Sequence, residues 1–134
     1  EQAVLEGFLE ACQHVQKSPE LSTVLLVLSQ GFEDFHRYLA MLDTCQRLLE
    51  MEGFEGVFQL ASFHPEYYFD GTEIDDPSNF TNRSPLPIIH ILREDELLNV
   101  TEDEGERIFT RNMQTCEQKG LQFLKALLRK NQSL

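Results

Sequence analysis

Residues of the types that bind anions and transfer protons are concentrated in one segment, Ser62 to Glu94, with the sequence SFHPEYYFDGTEIDDPSNFTNRSPLPIIHILRE. Histidine changes its charge near neutral pH, so His64 or His90 could act as a general acid or base. Asp76 could orient that ring through a hydrogen bond. We therefore take His64, His90 and Asp76 as the catalytic candidates.

A second group in the same segment suits recognition of a negative group. Arginine presents a planar fork of donors that fits a carboxylate or phosphate, and amides and hydroxyls add further donors. In a chain with a formal net charge of −12, an anionic ligand needs a local cation, and Arg83 supplies it. This predicts a small-molecule enzyme or binding protein with an anion-recognising pocket. The ligand-binding candidates are Arg83, Asn79, Thr81, Asn82, Ser84 and Arg93.

The same residue types also build loops that bind nothing. Asn, Asp, Ser and Thr satisfy their own backbone in turns, and Arg83 could pair with a carboxylate. A metal held by His64, His90 and Asp75 or Asp76 is a weaker interpretation, because His90 alternates within an apolar strand, and no metal is predicted. The alternative function is a non-catalytic interaction or assembly subunit with a protein partner, in which the segment is a structural keystone.

Composition excludes several other classes. Asp and Glu outnumber Lys and Arg 23 to 11, and such a field repels phosphate backbones, so no nucleic-acid partner is expected. No apolar run reaches the roughly 20 residues of a membrane span. The sequence has no phosphate-binding glycine loop, dinucleotide fingerprint, nucleophile elbow or zincin motif, so no cofactor is identified.

The cysteines and the N-terminus bear on location. Cys12, Cys45 and Cys116 fall on the apolar faces of predicted helices, so we expect them to be unpaired and mostly buried, as in a reducing compartment. We expect a soluble, cytoplasmic protein. Because the chain begins at Glu1 without Met, an organelle matrix after removal of a leader is the alternative.

An α/β fold is predicted to position the polar segment within a single domain, residues 1–134. Helical spacing of apolar residues predicts helices over 2–16 and 32–51, and the capping-box pattern Thr101-x-x-Glu104 begins a last helix that Gly120 interrupts. Short apolar runs predict a small mixed sheet of about three strands, Thr23–Ser29, Val57–Phe63 and Ile88–Leu92.

Strand order and loop length complete the predicted fold. Strand, helix and strand in succession form a βαβ unit, so the first two strands are expected to be parallel neighbours. No periodicity is present from His64 to Pro87, and a loop of such length in a compact domain is usually functional or disordered. Its aromatic residues favour an ordered loop packed against the sheet.

Four stretches of the sequence carry a resemblance to a known family. They are FQLASFHP at Phe58–Pro65, YFDG at Tyr68–Gly71, DDPSNFTNRSPLP at Asp75–Pro87 and HILRE at His90–Glu94. This pattern resembles the bacterial and organellar family called domain of unknown function 1415, and weaker flanking matches extend the resemblance over nearly the whole chain. The family has no established activity, so the resemblance implies that the segment matters and does not imply a reaction.

Two departures from the family pattern stand out. Leu86 occupies a position where the family usually has Tyr. The family also has an additional N-terminal segment with a Trp and a Leu-Cys-Pro-Phe stretch, which this sequence does not contain. If that Cys contributes to a site, this chain is expected to be an incomplete or non-catalytic version.

Overall fold

The computed structural model describes residues 1–133 and has an α/β architecture. None of the helices in this range combines the length and apolar character needed to cross a membrane. The elements in chain order are α1 (Gln2–Lys17), β1 (Thr23–Val27), α2 (Phe35–Met51), β2 (Phe58–Phe63), a 3-10 helix (Pro77–Asn82), β3 (Ile88–Arg93), α3 (Glu94–Leu97), α4 (Glu102–Lys119) and α5 (Leu121–Gln132).

The sheet has three strands in the order β1-β3-β2, and both pairs are antiparallel. The prediction that β1 and β2 are parallel neighbours is therefore wrong. The two strands run in the same direction, because each is antiparallel to β3, but β3 lies between them. The connection through α2 places β2 two positions away from β1 in the sheet, and β3 occupies the position between them. Hydrophobic periodicity reports burial and not the identity of a neighbouring strand.

The core lies between the sheet and the first two helices. α1 and α2 pack against the sheet face that carries Ile89 and Ile91, both fully buried. Tyr38 of α2 connects the layers, because its hydroxyl donates to the carbonyl oxygen of Ile88 at 2.6 Å and accepts the N–H of Phe63 at 3.2 Å. Asp34 begins α2 by accepting the N–H of Arg37 at 2.8 Å.

The opposite face of the sheet is more open. Side chains opposite one another in neighbouring strands share a face, so the pairings of β3 with its two neighbours define this surface. Leu25 is 54% exposed and Val27 is 46% exposed. We call this surface the open sheet face; it consists of Thr23, Leu25, Val27, Gln59, Ala61, Phe63, Ile88, His90 and Leu92.

The C-terminal helices pack on the polar segment. The predicted capping box is present at the start of α4, where Thr101 Oγ1 accepts the N–H of Glu104 at 3.2 Å and Glu104 Oε2 accepts the N–H of Thr101 at 3.0 Å. Gly120 separates α4 from α5 at a φ of 82°, a conformation that favours glycine. Neither helix has a fully buried residue, so both form an outer layer.

Candidate functional site

Asn79 organises the polar segment from inside. Its buried side chain accepts two hydrogen bonds at Oδ1, from the N–H of Phe69 at 2.9 Å and from Thr72 Oγ1 at 3.0 Å. Its Nδ2 donates to the carbonyl oxygen of Glu73 at 2.8 Å. A buried amide must find partners, and here the partners belong to the loop itself. Asn79 therefore fastens the loop and has no free donor or acceptor aimed at a cavity.

Asp76 has a capping role. Its Oδ1 accepts the N–H of Ser78 at 2.9 Å and the hydroxyl of Ser78 at 2.8 Å, at the start of the 3-10 helix. These hydrogen bonds stabilise the carboxylate and lower the pKa of Asp76. Within residues 1–133, no hydrogen bond joins Asp76 to His64 or His90, so the structure does not bring the three catalytic candidates together.

Thr81 and Asn82 close the loop onto β2. Asn82 Nδ2 donates to the carbonyl oxygen of Ser62 at 3.0 Å, and the carbonyl oxygen of Asn82 accepts the N–H of His64 at 3.1 Å. Thr81 Oγ1 donates to Asn82 Oδ1 at 2.9 Å. Both side chains therefore bond to the chain itself. Asn82 holds the two ends of the loop together, and Thr81 orients the Asn82 amide.

Ser84 and Arg93 also bond to backbone carbonyls. The hydroxyl of Ser84 donates to the carbonyl oxygen of Leu86. Arg93 donates from Nε to the carbonyl oxygen of Leu21 at 2.7 Å and from Nη2 to that of Ser18 at 2.9 Å, at the C-terminal end of α1. Arg93 thus fastens β3 to the segment that follows α1, and it lies apart from the loop.

His64 is fully buried and uses both ring nitrogens. Nε2 donates to the carbonyl oxygen of Phe32 at 2.8 Å, and Nδ1 accepts the N–H of Glu66 at 3.0 Å. The rings of Phe35 and Tyr38 pack beside it, with centroid distances of 5.2 Å and 5.0 Å. No ring nitrogen is left to exchange a proton with a ligand, so His64 is a structural residue in this fold.

His90 lies elsewhere, on the open sheet face. Its Nε2 contacts Thr23 Oγ1, and its ring lies 6.0 Å from that of Phe63. Partial burial lowers the pKa of His90. Within residues 1–133, no group of three or more His, Cys, Asp or Glu side chains is arranged to hold a metal ion. Both ring nitrogens of His64 already form hydrogen bonds. The residues considered for a metal site therefore do not form one.

Arg83, one of the predicted ligand-binding residues, lines the wall of a cavity. Its Nε donates to the carbonyl oxygen of Tyr67 at 2.9 Å and its Nη2 to that of Ile74 at 2.7 Å. The guanidinium carbon lies 4.4 Å from the ring centroid of Phe80, close enough for a cation–π interaction. In residues 1–133, no carboxylate comes within ion-pair distance of it.

The cavity beside Arg83 has a volume of about 470 Å³. Partial burial lowers the pKa of Arg83, while the nearby carboxylates of Asp75 and Glu66 oppose that shift. Lys125 reaches the same cavity and pairs with Asp75 at 3.2 Å. We call this cavity the Arg83 groove; it is lined by Asp34, Phe35, His36, Pro65, Glu66, Tyr68, Ile74, Asp75, Arg83 and Lys125.

A second cavity of about 550 Å³ adjoins the groove. The two share Phe35, His36 and Tyr68. We call it the aromatic cavity; it is lined by Phe35, His36, Leu39, Ser62, Tyr67, Tyr68, Phe69 and Asp70.

Sequence reasoning missed several residues of these cavities, among them Phe35, His36, Tyr68 and Lys125. His36 lies among polar neighbours in a helical pattern, which is typical of a surface residue, and Lys125 is distant in sequence from the polar segment. The signal that was present is aromatic: the sequence places Phe35 at the start of α2 and the run YYF at 67–69 in the loop. Only the folded chain brings these two groups together.

Comparison with known proteins agrees with the motifs of the polar segment. No curated protein and no solved structure matches the chain. A family model described as "Protein of unknown function (DUF1415)" matches residues 1–126, which include every element from α1 to α4 and the whole polar segment. Because this match extends over most of the sequence, the chain belongs to the DUF1415 family.

Proposed function

We propose that this protein binds a small anionic molecule in the Arg83 groove. One observation carries the proposal: the Arg83 guanidinium lies at a concave surface without a carboxylate partner among residues 1–133, although acidic residues outnumber basic ones 23 to 11. A half-buried cation in such a protein would ordinarily be paired. The groove volume, about 470 Å³, falls in the range of small-molecule sites.

The hydrogen bonds of Arg83 support this role. A guanidinium has five N–H donors, and the carbonyl oxygens of Tyr67 and Ile74 take donors on Nε and Nη2. These carbonyls are neutral, so they leave the guanidinium its charge. The carboxylates of Asp75 and Glu66 lie near it without forming an ion pair in residues 1–133. The two carbonyls also hold the fork in one orientation, which lowers the entropy lost when an anion binds. Donors on Nη1 remain for a carboxylate or phosphate.

The proposal is one of binding, with no reaction assigned. His36 lines the groove and carries an ionisable ring, whereas His64 and His90 do not line it. The hydrogen bonds of Asn79 and Asn82 contribute to the site indirectly, because they fix the loop backbone that carries Arg83. The same segment can thus be a structural keystone and still present a ligand site.

Anion titration of matched variants tests the proposal. We expect acetate or phosphate to shift the NMR signals of groove residues in the wild type, and Arg83→Gln to abolish those shifts. Arg83→Lys should retain weaker binding, because it keeps the charge and loses the fork. Arg47→Gln is the control, since Arg47 is exposed on α2 and pairs with Asp43 at 2.7 Å. Equal responses of the wild type and Arg83→Gln would contradict the proposal.

A second candidate is an interaction or assembly subunit, and the open sheet face favours it. Leu25 and Val27 are about half exposed on β1, an edge strand, and the sequence from 21 to 30 contains no charged residue. Unprotected apolar edges tend to pair with other chains. Sedimentation velocity of the wild type and of Leu25→Lys tests this candidate. It predicts association of the wild type that the substitution abolishes, and a monomeric wild type would argue against self-assembly.

A further inference from the structure

The aromatic cavity has no part in binding a bare inorganic anion, yet it opens beside the groove that holds Arg83. Its walls are mainly rings, contributed by Phe35, Tyr67, Tyr68 and Phe69. Tyr68 also lines the groove, so one ring faces both spaces. A molecule bound at Arg83 can therefore extend past Tyr68 into an apolar space without crossing the protein interior.

Contacts between the rings hold the wall of the aromatic cavity in place. The Phe35 centroid lies 5.4 Å from that of Tyr67 and 5.4 Å from that of Tyr68, and Phe35 itself is buried. Tyr67 meets Phe69 edge to face at 5.0 Å. Edge-to-face and tilted contacts of this kind are the favourable arrangements of aromatic rings, and a further ring can join them. The cavity volume, about 550 Å³, is ample for a phenyl group.

The charged residues of the two cavities favour one orientation of a bound ligand. Three acidic and two basic residues line the groove, and Lys125 pairs there with Asp75, which leaves Arg83 as the groove cation without an ion pair in residues 1–133. The aromatic cavity has one acidic residue, Asp70, and neither Lys nor Arg. A negative group is therefore favoured at the donors of Arg83 and disfavoured beside Asp70. An apolar group fits the aromatic cavity, which offers ring faces and the side chain of Leu39.

We infer that the ligand class is an arylalkyl carboxylate, with its carboxylate at Arg83 and its ring in the aromatic cavity against Tyr68. This inference rests on the proposed function, because it places the carboxylate in the Arg83 groove. The ring adds affinity by removing apolar surface from water, and the carboxylate fixes the orientation. His36, which lines both cavities, lies where the two parts of such a ligand join.

Three probes separate the parts of this inference in NMR titrations of the wild type. They are acetate, which has the charge alone, 3-phenylpropanol, which has the ring alone, and 3-phenylpropionate, which has both. We expect 3-phenylpropionate to bind at least about tenfold more tightly than either of the others, since burying a ring adds favourable free energy. Its shifts should include Leu39 and Tyr68 as well as Arg83.

Two variants complete the test. Leu39→Asn changes the aromatic cavity and should lower the affinity for 3-phenylpropionate toward that for acetate. Arg83→Gln should lower it toward that for 3-phenylpropanol. Leu98→Asn is the control, because Leu98 is 79% exposed and lines neither cavity. Thermal denaturation checks that each variant is folded; if Leu39→Asn does not fold, the three-probe comparison in the wild type still decides.

The outcomes distinguish this inference from the function on which it rests. Equal affinity for acetate and 3-phenylpropionate would overturn the inference and leave the anion site standing. No response to either acid would overturn both. Binding of 3-phenylpropanol as tightly as 3-phenylpropionate would show a ring site without an anion site, and would also overturn both.

Discussion

His64 and Phe32 are joined by a hydrogen bond of 2.8 Å from the imidazole Nε2 to the backbone carbonyl oxygen. Phe32 lies in the turn before α2, and His64 is the first residue after β2. Because Nδ1 accepts the N–H of Glu66 at 3.0 Å, the same ring also fixes the first turn of the loop. The imidazole thus connects the turn before α2 to the start of the loop.

Replacement of His64 should therefore destabilise the fold. We expect His64→Ala to lower the free energy of unfolding by about 3 kcal/mol, since it leaves a buried carbonyl and an N–H without partners and opens a cavity. Urea denaturation measures this change. His14→Ala is the control, because His14 is exposed on α1 and should cost less than about 0.5 kcal/mol. A comparable small loss for His64→Ala would contradict its structural role.

Asn79 should be equally sensitive. Asn79→Ala removes a buried amide that serves Phe69, Thr72 and Glu73, and we expect a loss of about 2–4 kcal/mol. Limited proteolysis should then cut within the loop at protease concentrations that leave the wild type intact. Asn112→Ala, at an exposed position of α4, is the matched control. Unchanged proteolysis would show that other contacts hold the loop.

Arg83 should contribute to stability as well as to binding. Its bonds to the carbonyl oxygens of Tyr67 and Ile74 hold the loop, so its removal costs stability even though it also serves a ligand site. We expect Arg83→Gln to lower the unfolding free energy by about 2 kcal/mol. Saturating 3-phenylpropionate should raise the melting temperature of the wild type and not that of the variant. A stabilised variant would place the binding site elsewhere.

His90 should make stability depend on pH in the neutral range. Its folded pKa is lowered by burial from the ordinary value of 6.5, so the unfolded chain binds the proton more readily. The resulting stability is complete above the unfolded pKa and is lost as pH falls from there through the lower folded pKa. Melting temperatures between about pH 8 and pH 5 should fall less for His90→Val than for the wild type.

The control for that pH profile is His14→Gln on the exposed face of α1, which should follow the wild type. Asp76 and Glu33 also have lowered pKa values, caused chiefly by hydrogen bonds from backbone N–H groups. Their ordinary values are 3.8 and 4.5, so their contributions are lost in more acidic solution. A wild-type profile that matches His90→Val would contradict the prediction.

The cysteines should differ in reactivity. All three are unpaired; Cys12 and Cys45 are buried and Cys116 is partly exposed. Burial raises the pKa of Cys12 to about 12 and that of Cys45 to about 11, so neither forms a thiolate readily. In native protein, a disulfide reagent such as Ellman's should label Cys116 first. Cys116→Ser should remove that phase, and fewer than three thiols after unfolding would contradict the unpaired state.

The local elements were predictable because their signals are local. The apolar spacing of Phe35, Tyr38, Leu42, Cys45 and Leu49 predicted α2, and the Thr101–Glu104 pair predicted the start of α4. The strand segments were also correct to within two residues at each end. The pairing of strands was not, because an apolar run that is buried on one face does not state which strand lies beside it.

The sequence by itself determined that Ser62 to Glu94 is the unusual part of this protein, with its density of polar and aromatic residues, and that the chain resembles the DUF1415 family. Only the tertiary structure decided what each polar residue does. His64 and Asn79 lie in the interior, where an unpaired polar group costs free energy, so both side chains form hydrogen bonds with backbone groups. Arg83 stayed at the surface beside His36 and Lys125, because contacts between distant segments place it there.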